Sequence, residues 1–392
     1  MAEIAPFSCF RPARALVNRF VQKPSDFPPE QRDHLEKLLN KSVYSISQPD
    51  LFGKTFEDGK QKFSELFKNG FIFPELNKAF YIYQIEEAGQ LTVGVVITQH
   101  INDFLNGTIK IHEKTRKTTR TYLRERFLQL RLNFTPIFSF YKNNTELTEK
   151  IHSWRTENPD LSFNTADGRK HSIWKLDQGH QIDTLVTAFE QIDAIYLADG
   201  HHRLNMFLEV CNELELPEAK RWVPNIIFPA SDMKILAFAR LIRDIPPMLM
   251  NDLSKLLAEK FDISEPTEET SAWAYDIYMN GSWKRYALLP ELRKKYSDTG
   301  IAYLEALNTE VLESIFNIQD QRSDERILFF KDFKDKSELE RSVNKTHSDL
   351  AIQLHPIDVH DIILAAETQL ELPPKSSLFE PKPRAGVFIT QI

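Results

Sequence analysis

The run Ala194-Ile195-Tyr196-Leu197-Ala198-Asp199-Gly200-His201-His202-Arg203 concentrates more chemistry than any other stretch of this chain. An apolar strand ends on a carboxylate, turns at a glycine and enters an amphipathic helix led by two histidines and an arginine. The first turn of a helix leaves backbone N–H groups unpaired and carries the positive end of the macrodipole, so it receives an anion such as phosphate directly. Arg203 adds a forked, charge-assisted grip, and Asp199 offers a carboxylate to a metal ion or a substrate proton. The plainer alternative makes Asp199 an N-cap and the histidines surface residues.

Two further stretches carry charge in useful patterns. Between positions 110 and 131, eight basic residues (Lys110, Lys114, Arg116, Lys117, Arg120, Arg124, Arg126, Arg131) stand against only Glu113 and Glu125. Leu123, Phe127 and Leu130 recur there at helical spacing, so a helix buries one side and carries basic residues on the other. Both a solvated basic face and a site for phosphate, pyrophosphate or a nucleic-acid backbone fit that pattern. Within it, His112-Glu113-Lys114-Thr115 sets one carboxylate among cations, where it stays ionised. That suits metal binding or accepting the proton of a hydroxyl that attacks phosphorus, with a salt-bridged structural glutamate as the alternative. It is not a zincin motif, because Arg116 stands where a second histidine ligand would be. Near the C-terminus, Pro374-Lys375-Ser376-Ser377, followed by Lys382 and Arg384, supplies an ammonium, two hydroxyls and turn N–H groups, the parts of an oxyanion clamp. No Walker loop, protein-kinase signature or dinucleotide fingerprint occurs.

The elements that must position these groups follow from periodicity. Helices are expected over 30–39, 59–68, 120–130, 182–191 and 358–370. A hairpin is expected over 79–99, with strands at 136–140, 172–176, 194–199, 222–228 and 386–390. Residues 7–29, rich in proline and basic residues, are expected to wrap the surface. The mixed order predicts an α+β fold rather than a doubly wound parallel sheet. The charged stretch 246–345 reads as mostly helical, with strands near 283–288 and 327–330. The expected division is therefore a core over 1–245, an accessory subdomain over 246–345 and a C-terminal segment over 346–392.

Composition bounds the rest. A chain of 392 residues with 42% hydrophobic content and 28 phenylalanines can bury two cores, or one core with a large insertion. A net charge of −7 argues against a surface given over to nucleic acid. Cys9 and Cys211 are the only cysteines, too few for a disulfide framework, and read as reduced thiols. No apolar run approaches membrane-spanning length and the N-terminus lacks an apolar signal core, so a soluble cytoplasmic protein is expected, with neither membrane nor nucleic acid as partner.

The order His112-Glu113-x-Thr115, Asp199-Gly200-His201-His202-Arg203, Pro374-Lys375-Ser376-Ser377 resembles the free serine kinases built on the ParB/sulfiredoxin-like fold. It is most similar to their longer relatives, formerly a domain of unknown function, which include pyrophosphate-dependent serine kinases. The similarity runs through nearly the whole chain and takes in Asn40-Lys41-Ser42, Asp103 and Gly107, Trp174, Gln321-Arg322, Pro381-Lys382 and Gly386. One departure is Pro24-Ser25-Asp26, where the family's pattern is Pro-Tyr-Asp.

The resemblance implies a ParB-like mixed-sheet core with an additional mostly helical subdomain. It implies phosphoryl transfer to the hydroxyl of free L-serine, giving O-phosphoserine for serine and cysteine metabolism. On matching positions Glu113 would be the base, Asp199 a metal or substrate ligand, and His202 a further catalytic group beside the donor. His201 and Arg203 would meet the donor phosphates, and Lys375, Ser376 and Ser377 would complete that phosphate site, with Arg116 and Arg120 contributing charge. His112, Thr115 and Lys382 would serve the substrate. Relatives use pyrophosphate, ADP or ATP. The dense charge around Arg116 and Arg120, without an aromatic or Gly-rich adenine signal, favours pyrophosphate, with ADP or ATP as second choice. Magnesium is expected to bridge donor oxygens. A ParB-like nucleic-acid-binding module and a metal-dependent hydrolase built on His201, His202, Asp199 and Glu113 are the alternatives from other classes.

Overall fold

Strands Phe80–Glu87 and Gln90–His100 pair antiparallel as a hairpin around Ala88 and Gly89, both at positive φ, as the alternation of the sequence requires. Residues Phe80 to Ile85 are buried without interruption, so this strand is covered on both faces and reads as a continuous apolar run. The computed structural model describes all residues except 28–36, 38, 114–116, 268–272, 297–300, 322, 332, 334, 371, 374 and 392. Most of the expected helix at 30–39 lies outside the described residues.

The chain divides into two compact units: 1–111, 115–233 and 381–392 form the first, and 112–114 with 234–380 the second. The first is built on a nine-stranded mixed sheet. Its order runs Ile109–Lys110, Ile195–Asp199, Ile137–Tyr141, Trp222–Pro229, Gln90–His100, Phe80–Glu87, Lys170–Leu176, Leu161–Asn164, with Ile4–Ala5 also on Gln90–His100. Two pairs are parallel, Ile195–Asp199 with Ile109–Lys110 and Trp222–Pro229 with Ile137–Tyr141; the rest are antiparallel. The α+β expectation therefore holds.

Helices close the sheet by burying one apolar stripe each. Leu185 and Phe189 of Gly179–Glu190, with Leu147 and Ile151 of Thr145–Ser153, pack on Phe80, Ile82, Val93 and Val95. Phe127 of Lys117–Leu130 packs with Leu204, Phe207 and Val210 of His201–Glu213 against Ile137 and Leu197. Each such side chain contributes about 1.5–3 kcal/mol by leaving water. The N-terminal stretch expected to wrap the surface is instead built in: Phe7, Cys9, Arg11, Leu16, Val17 and Phe20 are all buried, and Phe10–Pro12 pairs with Ile72–Pro74. Its apolar residues outweigh the proline and basic content that suggested a surface strap.

The second unit has a six-stranded antiparallel sheet in the order Phe261–Ser264, Ser282–Leu288, Ala274–Met279, Leu350–Gln353, Ala239–Ile242, Ile327–Phe330. Strands Phe261–Ser264 and Ala274–Met279 add to the two expected between 246 and 345. Helix Lys336–Thr346 packs on the sheet through Val343, against Leu241 and Ala351. The expected boundaries at 245 and 345 both fall inside this unit, because Ala239–Ile242 and Leu350–Gln353 are hydrogen-bonded neighbours that close the segment between them. The strand expected at 386–390 shrinks to Thr390–Gln391, since Gly386 adopts a left-handed turn conformation at φ 83°. Cys9 and Cys211 are buried and carry no disulfide. Among the described residues no helix is long and apolar enough to cross a membrane.

Candidate functional site

In the first unit, strand Ile195–Asp199 shifts register between Leu197 and Asp199, an irregularity of the kind that re-aims a strand's last side chain. Gly200 follows at φ 105°, and a Cβ there would stand 2.8 Å from Arg203 Nη2. Only glycine suits both the backbone conformation and that approach. Gly200, not Asp199, is the N-cap of His201–Glu213, and no side chain caps the helix start. The plain N-cap reading of Asp199 is thereby set aside.

Asp199 is instead the centre of a charge cluster. Its Oδ2 accepts a hydrogen bond from Arg203 Nη2 at 3.2 Å, and its Oδ1 lies 3.7 Å from Lys382 Nζ. Burial alone would raise the carboxyl's pKa, but Lys382, then Arg203 and His201, more than offset it and hold the group well below the usual carboxylate range. The side chain keeps 42% of its surface exposed, so the ionised oxygens remain open to a small solute. Arg203 Nη2 also donates to Pro136 O at 3.4 Å. His201 is buried and His202 half-buried in the same first turn.

The basic helix Lys117–Leu130 spends part of its charge on its neighbour: Arg120 pairs with Glu209 at 3.0 Å and Arg124 Nε with Glu213 at 2.8 Å. Arg126, which sequence reasoning did not single out, is half-buried; burial lowers its pKa, Tyr122 opposes this, and Arg203 adds to it. Two guanidinium groups close enough to repel favour an added anion. Asp103, one of the spaced motif residues, is structural, accepting from Glu3 N and Gln99 Nε2 at 2.8 Å each.

The second unit joins two motifs that lie 265 positions apart: His112 Nε2 and Ser377 Oγ are 3.2 Å from each other. His112 is 3% exposed and burial drops its pKa from 6.5 to about 4, so the ring is neutral at neutral pH. Its carbonyl accepts from Leu372 N at 3.2 Å, fixing the strand of chain that leads to the half-buried Glu113. Lys375 takes a left-handed conformation at φ 58°, and its Nζ lies 5.6 Å from the Phe238 ring centroid. The Lys375 carbonyl accepts from buried Arg240 at 3.2 Å, and the Ser376 hydroxyl donates to Pro373 O at 2.6 Å. Thr115 and Arg116, like Lys114 and Pro374, lie outside the described residues.

A divalent cation fits only in company. Among the described residues no group of three His, Cys, Asp or Glu is placed to hold one, and Asp199 already has Arg203 and Lys382 on its two oxygens. A metal bound there would have to bring most of its oxygen ligands with it, as a magnesium polyphosphate does.

Among solved structures, the chain is similar to SbnI with a C-terminal truncation from Staphylococcus aureus, at 8% identity over 74% of this chain and 85% of that one, with a TM-score of 0.43. It is similar to a free serine kinase in complex with AMP at 10% identity over 76% of this chain and 91% of that one, TM-score 0.40. A conserved hypothetical protein from Pyrococcus furiosus matches at 10% identity over 76% and 95%, TM-score 0.39. No curated protein matches. A family model described as a protein of unknown function (DUF1015) matches residues 4–312, which is most of the chain. The protein therefore belongs to the DUF1015 family.

Proposed function

We propose that this protein is a phosphotransferase that moves a phosphoryl group from pyrophosphate to the hydroxyl of free L-serine, giving O-phospho-L-serine and orthophosphate. The observation that carries the reading is the first unit's cluster: an ionised, solvent-open Asp199 flanked by Arg203 and Lys382 at a helix start with no side-chain cap. Such a place holds a compact polyanion through cations and backbone donors while offering one carboxylate to its metal. The resemblance of the motif order to free serine kinases supplies the acceptor and the ParB-like cast of the core.

In this reading His201, His202 and Arg203 hold the donor's oxygens, aided by Arg116 and Arg120, and Lys382 and Asp199 set the charge around it. Asp199, held ionised, serves as a ligand rather than a base. Glu113 takes the serine hydroxyl proton as the serine oxygen bonds to phosphorus. The bridging P–O bond breaks in the same event, and orthophosphate leaves with the bridging oxygen. His112 and Thr115 serve serine, and Lys375, Ser376 and Ser377 grip phosphate oxygens. Asp199 is the carboxylate that would meet a magnesium ion carried by the donor, which would supply charge neutralisation on the donor's oxygens.

The test is a donor and acceptor panel. Purified protein with magnesium is given L-serine or L-threonine and, in separate arms, pyrophosphate, ADP or ATP, and O-phospho amino acid is measured. Phosphoserine from pyrophosphate is the expected result. Phosphoserine from a nucleotide alone would reassign the donor and keep the acceptor; no phospho amino acid in any arm would overturn the reading.

A further inference from the structure

Lys382 stands beside Asp199 although it belongs to a terminal segment that returns to the first unit only at 381–392. Two residues on, Arg384 is 4% exposed in its side chain and held between two carboxylates. Its Nη1 donates to Asp26 Oδ1 and Oδ2 at 2.9 and 2.8 Å, and its Nη2 donates to Asp167 Oδ2 at 2.6 Å. With both terminal nitrogens on these two carboxylates and the side chain buried, the guanidinium is turned inward, which separates Arg384 from the anion clamp its position in sequence suggested.

A closed ring of hydrogen bonds surrounds that anchor. The Arg384 backbone N–H donates to Tyr83 Oη at 3.1 Å. Tyr83 Oη, having accepted, donates its own proton to His171 Nδ1 at 3.0 Å. His171 must then carry its proton on Nε2, 3.3 Å from Thr165 Oγ1. The Thr165 hydroxyl donates to Asp167 Oδ1 at 2.5 Å, and Asp167 returns to Arg384 through its other oxygen. Every donor has an acceptor only if His171 is neutral, and burial, reinforced by Arg384, keeps its pKa near 3. Asp26 is held in turn by Lys23 N at 2.9 Å, which gives the Pro24-Ser25-Asp26 segment its part. Beyond the ring, Gly386 N donates to Phe134 O at 2.8 Å and Phe388 packs on Tyr81 at 4.9 Å. The latch therefore ends two residues from Lys382, short enough to fix where its ammonium can reach.

We infer that Arg384 is a positioning residue: locked between Asp26 and Asp167, it fixes the segment that presents the Lys382 ammonium to Asp199. Its effect on turnover rests on the phosphoryl-transfer reading; its effect on Lys382 does not.

The experiment measures Lys382 reactivity toward trace acetic anhydride by mass spectrometry in the full chain, alongside phosphoserine kinetics. In Arg384→Ala, Lys382 labelling is expected to rise several-fold, toward the level in Asp199→Asn, while lysines remote from the segment, such as Lys150, label as before. Arg384→Lys, able to keep one carboxylate, should fall between. Donor KM should rise in Arg384→Ala as it does in Lys382→Ala, and the double variant should be no worse than Lys382→Ala alone. Should Arg384→Ala fail to fold, Asp167→Asn loosens the latch and leaves Asp26 in place. Unchanged Lys382 labelling in a folded latch variant, or kinetic costs that add in the double variant, would overturn the inference. A wild-type protein that makes no phosphoserine would sink the functional reading alone, because the labelling result stands without it.

Discussion

The Asp199 cradle of the first unit and the His112–Ser377 clamp of the second arrange their polar groups by opposite means. Around Asp199 the groups are ionised, partly exposed and mutually compensating, with Arg203 and Lys382 on one carboxylate. Around His112 the polar groups are buried or half-buried and the imidazole is neutral, joined to Ser377 by a hydrogen bond, while the exposed Lys375 leans on the Phe238 ring. The first arrangement supplies charge that survives contact with water; the second supplies fixed geometry at the cost of desolvation.

The sharpest way to break that division is at Glu113, beside the clamp. Glu113→Gln is expected to lower kcat for serine phosphorylation by roughly a hundredfold or more, in line with general-base contributions, and to leave donor binding largely intact. Near-normal turnover by the folded variant would remove Glu113 from the proton's path.

Acid separates the two regions next. A histidine whose folded pKa lies below its unfolded value resists the proton that the unfolded chain accepts, so its unit loses stability as pH falls from 6.5 toward about 4. Across that window the loss for His112 comes to about 3 kcal/mol at most, and stability is regained as pH rises. His171 bends the curve in the same direction, through burial reinforced by Arg384. The comparison is therefore wild type against His112→Gln: denaturant midpoints followed from neutral pH downward should fall less steeply in the variant. Parallel curves would mean that His112 takes up its proton equally in the folded and unfolded states. Asp199 runs the other way in position: its pKa is depressed, so its contribution is present above the ordinary carboxylate range and fades only below it.

Arg203→Ala should raise the donor KM by about tenfold or more, the scale of a lost charge-assisted hydrogen bond, while the serine KM moves little. Lys375→Ala should do the same. Serine KM rising sharply while donor KM stays fixed would exchange the two subsites. The smallest effect is expected from Arg120→Ala: its pairing with Glu209 already absorbs much of its charge, so stability should fall by about 1 kcal/mol or less and donor KM should shift less than in Arg203→Ala. A larger shift than at Arg203 would make the basic helix, not the cradle, the main anion site.

Much of this was legible in the sequence where the signal is local. The hairpin, the strand Ile195–Asp199 and its helix, and the alternation in Ile137–Tyr141 follow from periodicity and turn residues within a few positions. The Asp-Gly turn located the cradle, and the joining of His112 to the Ser377 loop follows the order of motifs that the resemblance uses. What stayed hidden depends on distant partners. Asp276 and Arg285 each look like solvent-facing charges in a polar stretch, yet they oppose one another across two strands and pair at 2.9 Å in the interior. Their mutual compensation conceals a buried sheet behind a charged sequence. Arg384 looked like an anion ligand because nothing near it in sequence shows Asp26 and Asp167 waiting for it. Lys382 owes its place to that anchor, and Arg126 its depressed pKa to burial among residues of other elements.

The central claim is that phosphorus leaves a pyrophosphate and arrives on serine. Phosphorus NMR of the purified protein with magnesium pyrophosphate and L-serine reads both fates in one tube. The account predicts phosphoserine and orthophosphate appearing in equal amounts as pyrophosphate disappears, with no loss of pyrophosphate when serine is left out. Orthophosphate alone, formed at the same rate with or without serine, would contradict it and make the protein a hydrolase.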